Sequence, residues 1–573
     1  MASTPVSVLV VADFNAANFA GYLANDPVPM TVAPEQVPYG QVAQALFEDS
    51  AGQPLKAQAA VVWTRPETAV PAFGRLLRGE EVRREELLGE VEDFIDLLSR
   101  AEGRFVAVFV PTWVVPSGQQ AFSLVNSAPL GVHHTLLEMN LRLVDRLSRI
   151  KGFYTLQASD WLANSSRAGF NPKMWFLSKV PFGNDVFKAA AVAIKSALRG
   201  LAGKSSKLLI LDLDNTLWGG TVGDVDWENL RLGGHDPIGE AFVDFQRTLL
   251  MFANRGVLLA IVSKNDEKVA LDAIERHPEM VLRKGNLAGW RVNWQDKAQN
   301  IAELTAELNL GLDAVVFIDD NPVERARVRE ALPEVVVPEW PSDKMLYTQA
   351  LLELPWFNPP RLTEEDRRRT ELYVEQRDRS EQRSRFQSID DWLSSLNTVV
   401  LCEPLDSSNL ARATQLLNKT NQMNLSTRRL SEVEFMDWAQ TEGHWVWVFR
   451  VTDKFGDSGI TALGSIEVNG ASAQVRDFVL SCRVMGRKVE ETVLAVLVDG
   501  ARKHGAKILT AEYLATPKNR PCLEFWMRSG FEHDEITQTF SWLLSKSYLM
   551  PKQLALEYQV AGTNRPVRET KTA

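Results

Sequence analysis

The chain has 573 residues, 45% of them hydrophobic and 24% charged. That size predicts three or four domains, or fewer large ones, with cores that need no staples. A net charge of −10 excludes a global field that gathers nucleic acid. Three cysteines, Cys402, Cys482 and Cys522, make no disulfide framework and no metal-ligand spacing, which fits a reducing compartment. The N-terminus lacks a basic, then apolar, signal segment. The strongest apolar stretch, Phe105 to Val115, holds Pro111 and is too short to span a bilayer. The expectation is a cytoplasmic protein with neither membrane nor nucleic-acid partners.

Val6 to Val11 reads as the first buried strand, ending in Ala12-Asp13-Phe14-Asn15, and Phe19, Tyr22 and Leu23 follow at near-helical spacing. Ala59 to Trp63 and Phe105 to Val110 are further strands. Between them Arg78 to Arg100 predicts an amphipathic helix with Leu87, Leu88, Phe94 and Leu97 inward. Strands alternating with helices define an α/β domain. His133 and His134 sit on a helix-like stretch and read as surface or packing residues.

Asp185 to Leu201 predicts a helix closed by Gly203. Leu208 to Leu211 is then a short apolar run of the kind a doubly buried strand needs, and it ends in Asp212-Leu-Asp214-Asn-Thr216. Carboxylates at i and i+2 leave a strand on one side. Two anions that close need a cation or a proton between them. The pattern allows a divalent-metal site with one Asp free to attack an electrophile, or merely a strand followed by an acidic turn. Further along, Val257 to Val262 ends in Ser263-Lys264-Asn265, Lys297 follows Trp294-Gln-Asp, and Ala314 to Ile318 ends in Asp319-Asp320-Asn321-Pro322. Helices fall between, with Phe242, Phe245, Leu249 and Phe252 on one, Val269, Ala273 and Ile274 on the next, and Ile301, Leu304 and Leu308 on a third. Asn265 or Asp266 can cap the second. This is a doubly wound parallel sheet with its ligand crevice at the strand carboxyl ends. The intervals between motifs leave no room for a large cap domain.

Thr363 to Arg385 is dense in Arg, Asp and Glu and reads as a solvated helix laced with i,i+4 pairs, or as a phosphate or carrier contact. Ser395 to Leu401 and Trp445 to Val451 look like strands. Between them, Asn418-Lys-Thr-Asn-Gln-Met-Asn-Leu-Ser-Thr-Arg-Arg429 is a loop whose polar groups either satisfy each other or bind a ligand. Val475 to Leu480 leads into Ser481-Cys482-Arg483-Val-Met-Gly486-Arg487-Lys488, then a helix with Val489, Val493, Val496 and Leu497 inward. A strand, a glycine turn and a helix start present N–H groups suited to a pyrophosphate. Residues 560–573 read as disordered.

The four central motifs, in this order, resemble the haloacid-dehalogenase (HAD) superfamily of phosphotransferases, and more narrowly its FkbH-like branch. The likeness rests on Asp212-Leu-Asp214-Asn-Thr216 with Leu217-Trp-Gly-Gly220, Ser263-Lys-Asn265, Asn293-Trp-Gln-Asp-Lys297 and Phe317-Ile-Asp-Asp-Asn-Pro-Val-Glu-Arg325. FkbH-like proteins often carry an N-terminal domain similar to SGNH hydrolases. Here Asp13 and Asn15 follow the first strand with no Ser, and Asp160 has no His nearby, so a non-hydrolytic scaffold or docking domain is expected. The region from Val475 on resembles a GNAT acyltransferase: Arg483 and Gly486 match its loop, with Lys488 in place of the last small residue. Asn519 and Phe525 to Phe531 match its later part, with Trp526 where Tyr is common.

The resemblance implies an α/β multidomain protein: residues 1–200 SGNH-like, 205–355 a central doubly wound HAD domain, 356–390 a charged helical connection, 391–550 an α+β GNAT-like domain and 551–573 a tail. It implies that Asp212 attacks phosphorus and that Asp214 moves the proton. Asp212, the Asp214 carbonyl, Asp319 and Asp320 would hold or support Mg2+. Thr216, Ser263, Lys264, Asn265 and Lys297 would bind or orient the phosphate. Arg483, Gly486 and Arg487 would face phosphopantetheine or coenzyme A. The implied activity dephosphorylates a phosphorylated small-molecule donor and hands a glyceryl-like unit to an acyl carrier protein in secondary-metabolite biosynthesis. Many relatives carry Cys before Ser-Lys-Asn; Val262 stands there in this chain, which either removes the thioester step or moves it to Cys482. Cys402 and Cys522 read as packing residues. The alternatives are a GNAT-like transfer from acyl-CoA to an amine or sugar, and a non-catalytic assembly protein.

Overall fold

Five strands, β1 (Val6–Ala12), β2 (Val32–Gln36), β3 (Ala59–Trp63), β4 (Ala107–Pro111) and β5 (Phe153–Leu156), form an all-parallel sheet in the order β2-β1-β3-β4-β5. These assignments come from a computed structural model, which describes residues 5–25, 28–38, 40–42, 44, 57–115, 122–165, 169–360, 362, 364–383, 386–559 and 566–568. β3 and β4 are buried at every position, as a parallel strand covered on both faces must be. The Arg84–Ser99 and Val132–Leu147 helices pack on one face of this sheet; Ala17–Asn25 and Asn184–Leu201 pack on the other. The strand order reverses between β1 and β3. There the Arg65 N–H donates to both oxygens of the buried Asp13 carboxylate, at 3.1 and 3.2 Å. Burial raises the Asp13 pKa against the pull of Thr68 and Arg65. Asn15 and Ser178 line a cavity at the end of β1, and His133 and His134 are exposed on their helix.

The central sheet has the order β8-β7-β6-β9, from β6 (Leu208–Leu211), β7 (Leu258–Ser263), β8 (Leu287–Val292) and β9 (Val315–Ile318). β6, β7 and β9 are fully buried. The Pro237–Asn254 helix starts at an Asp236 cap, and Gly256 (φ +87°) lets the chain turn back after it. Asp266 caps the Glu267–Arg276 helix, and Asp296 caps Lys297–Glu307. Between β6 and the Pro237–Asn254 helix lie only a four-residue helix, a short 3-10 turn and a bridge from Gly219 to Arg231. No large cap domain is inserted.

The Arg369–Arg383 helix departs from the solvated reading. Arg377 donates to the Leu287 carbonyl at 3.0 Å and lies 4.9 Å over the Trp290 ring. Arg379 is buried and pairs with Asp453 at 2.7 Å and Glu375 at 2.9 Å. Such a helix braces the central domain against the one that follows. The sequence shows the charges but not their distant partners.

The C-terminal sheet runs β16-β17-β15-β14-β13-β12-β10-β18-β19. Its strands are β10 (Thr398–Pro404), β11 (Met423–Asn424), β12 (His444–Asp453), β13 (Gly456–Asn469), β14 (Ser472–Leu480), β15 (Ile508–Glu512), β16 (Glu532–Asp534), β17 (Thr539–Leu543), β18 (Leu554–Gln559) and β19 (Pro566–Arg568). Residues 395–397 lie in a helix end and turn, so the strand predicted from Ser395 starts at Thr398. β18 pairs in parallel with β10, which draws part of the expected tail into the sheet. The disorder predicted for 560–573 lies outside the described residues apart from β19. β14 and β15 pair only over Ser472–Val475 and Ile508–Ala511. Past that point β11 pairs with Val479 and Leu480, and Leu514 N–H reaches the Leu425 carbonyl. A piece of the polar 418–429 loop therefore fills the gap where the two strands part. Its polar groups satisfy one another: buried Asn424 donates to Leu417 and Thr420 carbonyls and accepts from Thr427 N–H. The chain as a whole is a multidomain α/β protein. It divides into two compact units, residues 1–208 with 313–316 and 334–363, and residues 209–312 with 317–333 and 364–573. Among the described residues no helix is long and apolar enough to cross a membrane.

Candidate active site

The central sheet reverses its order between β6 and β9, so the loops leaving those strands bound the crevice. Asp212 leaves β6; Asp319 and Asp320 leave β9. Carboxylate oxygens of these three lie within 4.8 Å of one another. Lys297, at the start of its helix and buried, reaches Asp212 Oδ1 at 2.9 Å and Asp319 Oδ2 at 2.6 Å. Burial works against its ammonium charge, but Asp212 and Asp319 outweigh that and raise its pKa. The Asp319 carboxyl rises to about 6, through burial first and Asp212 next, against Lys297. Lys297 thus holds two of the three clustered carboxylates at once. That all-oxygen donor set suits a hard divalent cation such as Mg2+.

Around this cluster lies an open cavity of about 430 Å³, lined by Asp214, Ser263, Lys264, Lys297, Asp320 and Glu324 among others. Asn215, at φ +57°, turns the chain after Asp214, and its side chain accepts from Gly220 N–H. The Asp214 carboxylate stands outside the metal-like cluster. Its Oδ1 accepts from Trp218 Nε1 at 2.8 Å and Val222 N–H at 3.0 Å, and its Oδ2 from Asn265 Nδ2 at 3.0 Å. Asn265 also donates to Ser263 Oγ at 3.1 Å.

The structure thus gathers Asp212, Asp214, Ser263, Lys264, Lys297 and Asp320 at one cavity and moves other residues to different tasks. Thr216 is fully buried, and its hydroxyl oxygen accepts from Asp320 N–H at 3.2 Å, which places it to orient the β9 loop. Asn265 is buried and holds Asp214. Lys264 lines the mouth paired with Glu324 at 2.6 Å. Sequence reasoning did not assign Arg325, whose guanidinium ties the Asp319 and Asp320 carbonyls at 2.8 and 2.9 Å, nor Trp218. Both lay inside quoted motifs, but an Arg on a helix and a Trp in an apolar run carry no signal of their partners.

The C-terminal turn corrects its prediction. Arg487 is buried and bonds Asp453 at 2.6 Å instead of facing a ligand. Gly486, at φ +72°, gives its N–H to the buried Glu490 carboxylate. Arg483 bonds Ser481 Oγ at 3.2 Å. Arg487 and Gly486, expected to meet a pyrophosphate, thus each have a partner within the protein, while Arg487 Nε and Nη1 lie buried without one. Cys402 and Cys522 are buried, and burial raises both thiols, Cys522 to about 12. The Cys482 side chain lies outside the described residues.

Against solved structures, the chain resembles the N-terminal part of protein BF1531 from Bacteroides fragilis, described as containing a phosphatase domain complexed with Mg. Identity is 28% and the TM-score 0.57, over 63% of this chain and 96% of that one. Matches at 15% identity and covering 26% of this chain and 96% of the other are the ribosomal-protein-S18-alanine N-acetyltransferase from Escherichia coli (TM-score 0.20) and a spermidine N-acetyltransferase from Vibrio cholerae in complex with CoA and spermine (TM-score 0.22). No family model and no curated protein matches the chain.

Proposed function

We propose that this protein is a Mg2+-dependent phosphatase of the FkbH-like HAD type, working through a phosphorylated aspartate. One observation carries the reading: Asp212, Asp319 and Asp320 converge with buried Lys297 at the crevice where β6 and β9 part, with Asp214 beside them. The Asp212 carboxylate attacks phosphorus, and the phosphorus–oxygen bond to the leaving group breaks with its electron pair going to that oxygen. The leaving oxygen takes the proton held by Asp214, giving an alcohol or acid and an Asp214 carboxylate. Water then attacks the aspartyl-phosphate, gives its proton to Asp214, and the bonding pair returns to Asp212 as inorganic phosphate departs. Lys297 and Ser263 line the cavity, and in this reading they bind phosphoryl oxygens. Asp212, Asp319 and Asp320 would hold the magnesium, which when bound supplies charge neutralisation between carboxylates and phosphate.

The finer reading is that the donor is a phosphorylated acyl unit and that the acyl group passes to an acyl carrier protein in secondary metabolism. The open cavity with no large cap supports a tethered acceptor. If the acyl group rests on a thiol of this chain, the buried and raised thiols of Cys402 and Cys522 leave Cys482 for that step. Phosphate release and intact-mass analysis with acyl phosphate donors test both levels. Metal-independent release at full rate would overturn the first. Absence of any acylated enzyme or carrier would overturn the second.

A further inference from the structure

We infer that Trp218 is a positioning residue for Asp214, and that Asp214 Oδ2 is the oxygen that exchanges the proton with substrate. The inference rests on the phosphatase reading and deepens it. The two carboxylate oxygens are not equivalent. Oδ1 accepts two hydrogen bonds, from Trp218 Nε1 at 2.8 Å and Val222 N–H at 3.0 Å. These use both of its favourable acceptor directions. Oδ2 accepts one, from Asn265 Nδ2 at 3.0 Å, and keeps one direction for a ligand in the cavity that Asp214 lines.

The arrangement is rigid on the Oδ1 side. Trp218 is wholly buried, four residues after Asp214, in a turn closed by Thr216 and Leu217 N–H groups on the Leu213 carbonyl. An indole N–H donates only, so Trp218 cannot take the proton that Asp214 must carry. Asn265 is equally constrained, with Nδ2 shared between Asp214 Oδ2 and Ser263 Oγ. The open side of Oδ2 is therefore the direction left for exchange with a substrate oxygen. Protonation there and loss to the leaving oxygen leave the Oδ1 bonds intact. Without the indole N–H, Oδ1 keeps only the Val222 N–H, and the carboxyl is held in direction less firmly.

A buried Trp that merely packs would affect every substrate alike, and this separates the two roles. Proton donation matters most for a poor leaving group. Full-length Trp218→Phe would be compared with the parent protein in Mg2+ buffer, using methyl phosphate and p-nitrophenyl phosphate and reading kcat/KM. The expected loss is about tenfold or more greater for methyl phosphate, within the ~10²–10⁴-fold that acid catalysis supplies. In an Asp214→Asn background, Trp218→Phe should add no further selectivity between the two esters. Should the Phe variant fold poorly, β-(3-benzothienyl)alanine at position 218 keeps the ring and lacks the N–H, and the same selectivity is expected. Equal losses for both esters, or unchanged selectivity with the benzothienyl residue, would overturn Trp218's role alone. No release of phosphate by the parent protein from either ester would overturn the phosphatase reading and this inference with it.

Discussion

Two places in this molecule have the same local plan, a buried strand, a turn and a helix start rich in charge. The connections after β6, β8 and β9 leave their charged groups facing a cavity: Asp212, Lys297 and Asp320 all line it. In the turn after β14, Arg487 pairs with Asp453 and Gly486 N–H meets Glu490. In the first, Lys297 holds two carboxylates beside an open cavity; in the second, the named groups turn to partners within the protein. Charged residues at a strand end are thus a weak sign of a site until their partners are known. A carboxylate cluster gathered around a buried lysine at a cavity is a stronger one.

The contrast can be broken most severely at Asp212. Asp212→Asn should lower phosphate release by at least about 10³-fold, while the thermal midpoint stays or rises because one buried anion is gone. Chelation of the metal with EDTA should silence the parent protein reversibly. Lys297→Ala should cost about 10²–10³-fold in rate through lost charge on the phosphoryl group; normal kinetics would remove Lys297 from the site. Arg487→Ala should act on stability instead. It leaves Asp453, fully buried, with Arg379 as its remaining strong partner, and should destabilise by roughly 2–4 kcal/mol in a denaturant titration. The phosphatase KM should not move. A raised KM with unaltered stability would return Arg487 to ligand binding.

Glu490 sharpens the comparison through pH. Burial raises its pKa from 4.5 to about 7, against hydrogen bonds from its own and the Gly486 N–H. Between those values the folded state holds a proton that the unfolded state has released. Stability therefore falls as pH rises through that window, and the penalty is complete above about 7. Glu490→Gln should remove the slope, raising the thermal midpoint at pH ~8 and leaving it nearly unchanged at pH ~5, with a gain on the order of 1–3 kcal/mol. An identical pH profile in the variant would show that Glu490 stays ionised, as expected if it faced a cation.

The central domain was legible because its signals are local. Apolar runs of four to six residues ending in Asp212, Ser263 and Asp319 fix both the strands and the side on which their carboxylates leave. The helix start at Asp266 follows from capping chemistry. What escaped depends on distant partners. Arg379 and Arg487 meet on Asp453, and neither spacing nor composition reveals that meeting. Trp218 in an apolar run reads as core, and it is core; its N–H has the functional task. β18 has half-buried residues throughout and no alternation, so it carried no strand pattern to find.

The central claim is that Asp212 becomes phosphorylated. Rapid acid quench of the full-length protein during turnover of a donor with a radiolabelled phosphoryl group, followed by peptide mapping, tests it directly. The account predicts label on the peptide containing Asp212, absent in Asp212→Asn and absent without Mg2+. Phosphate release in the steady state with no label on that peptide, or with label on another residue, would contradict it.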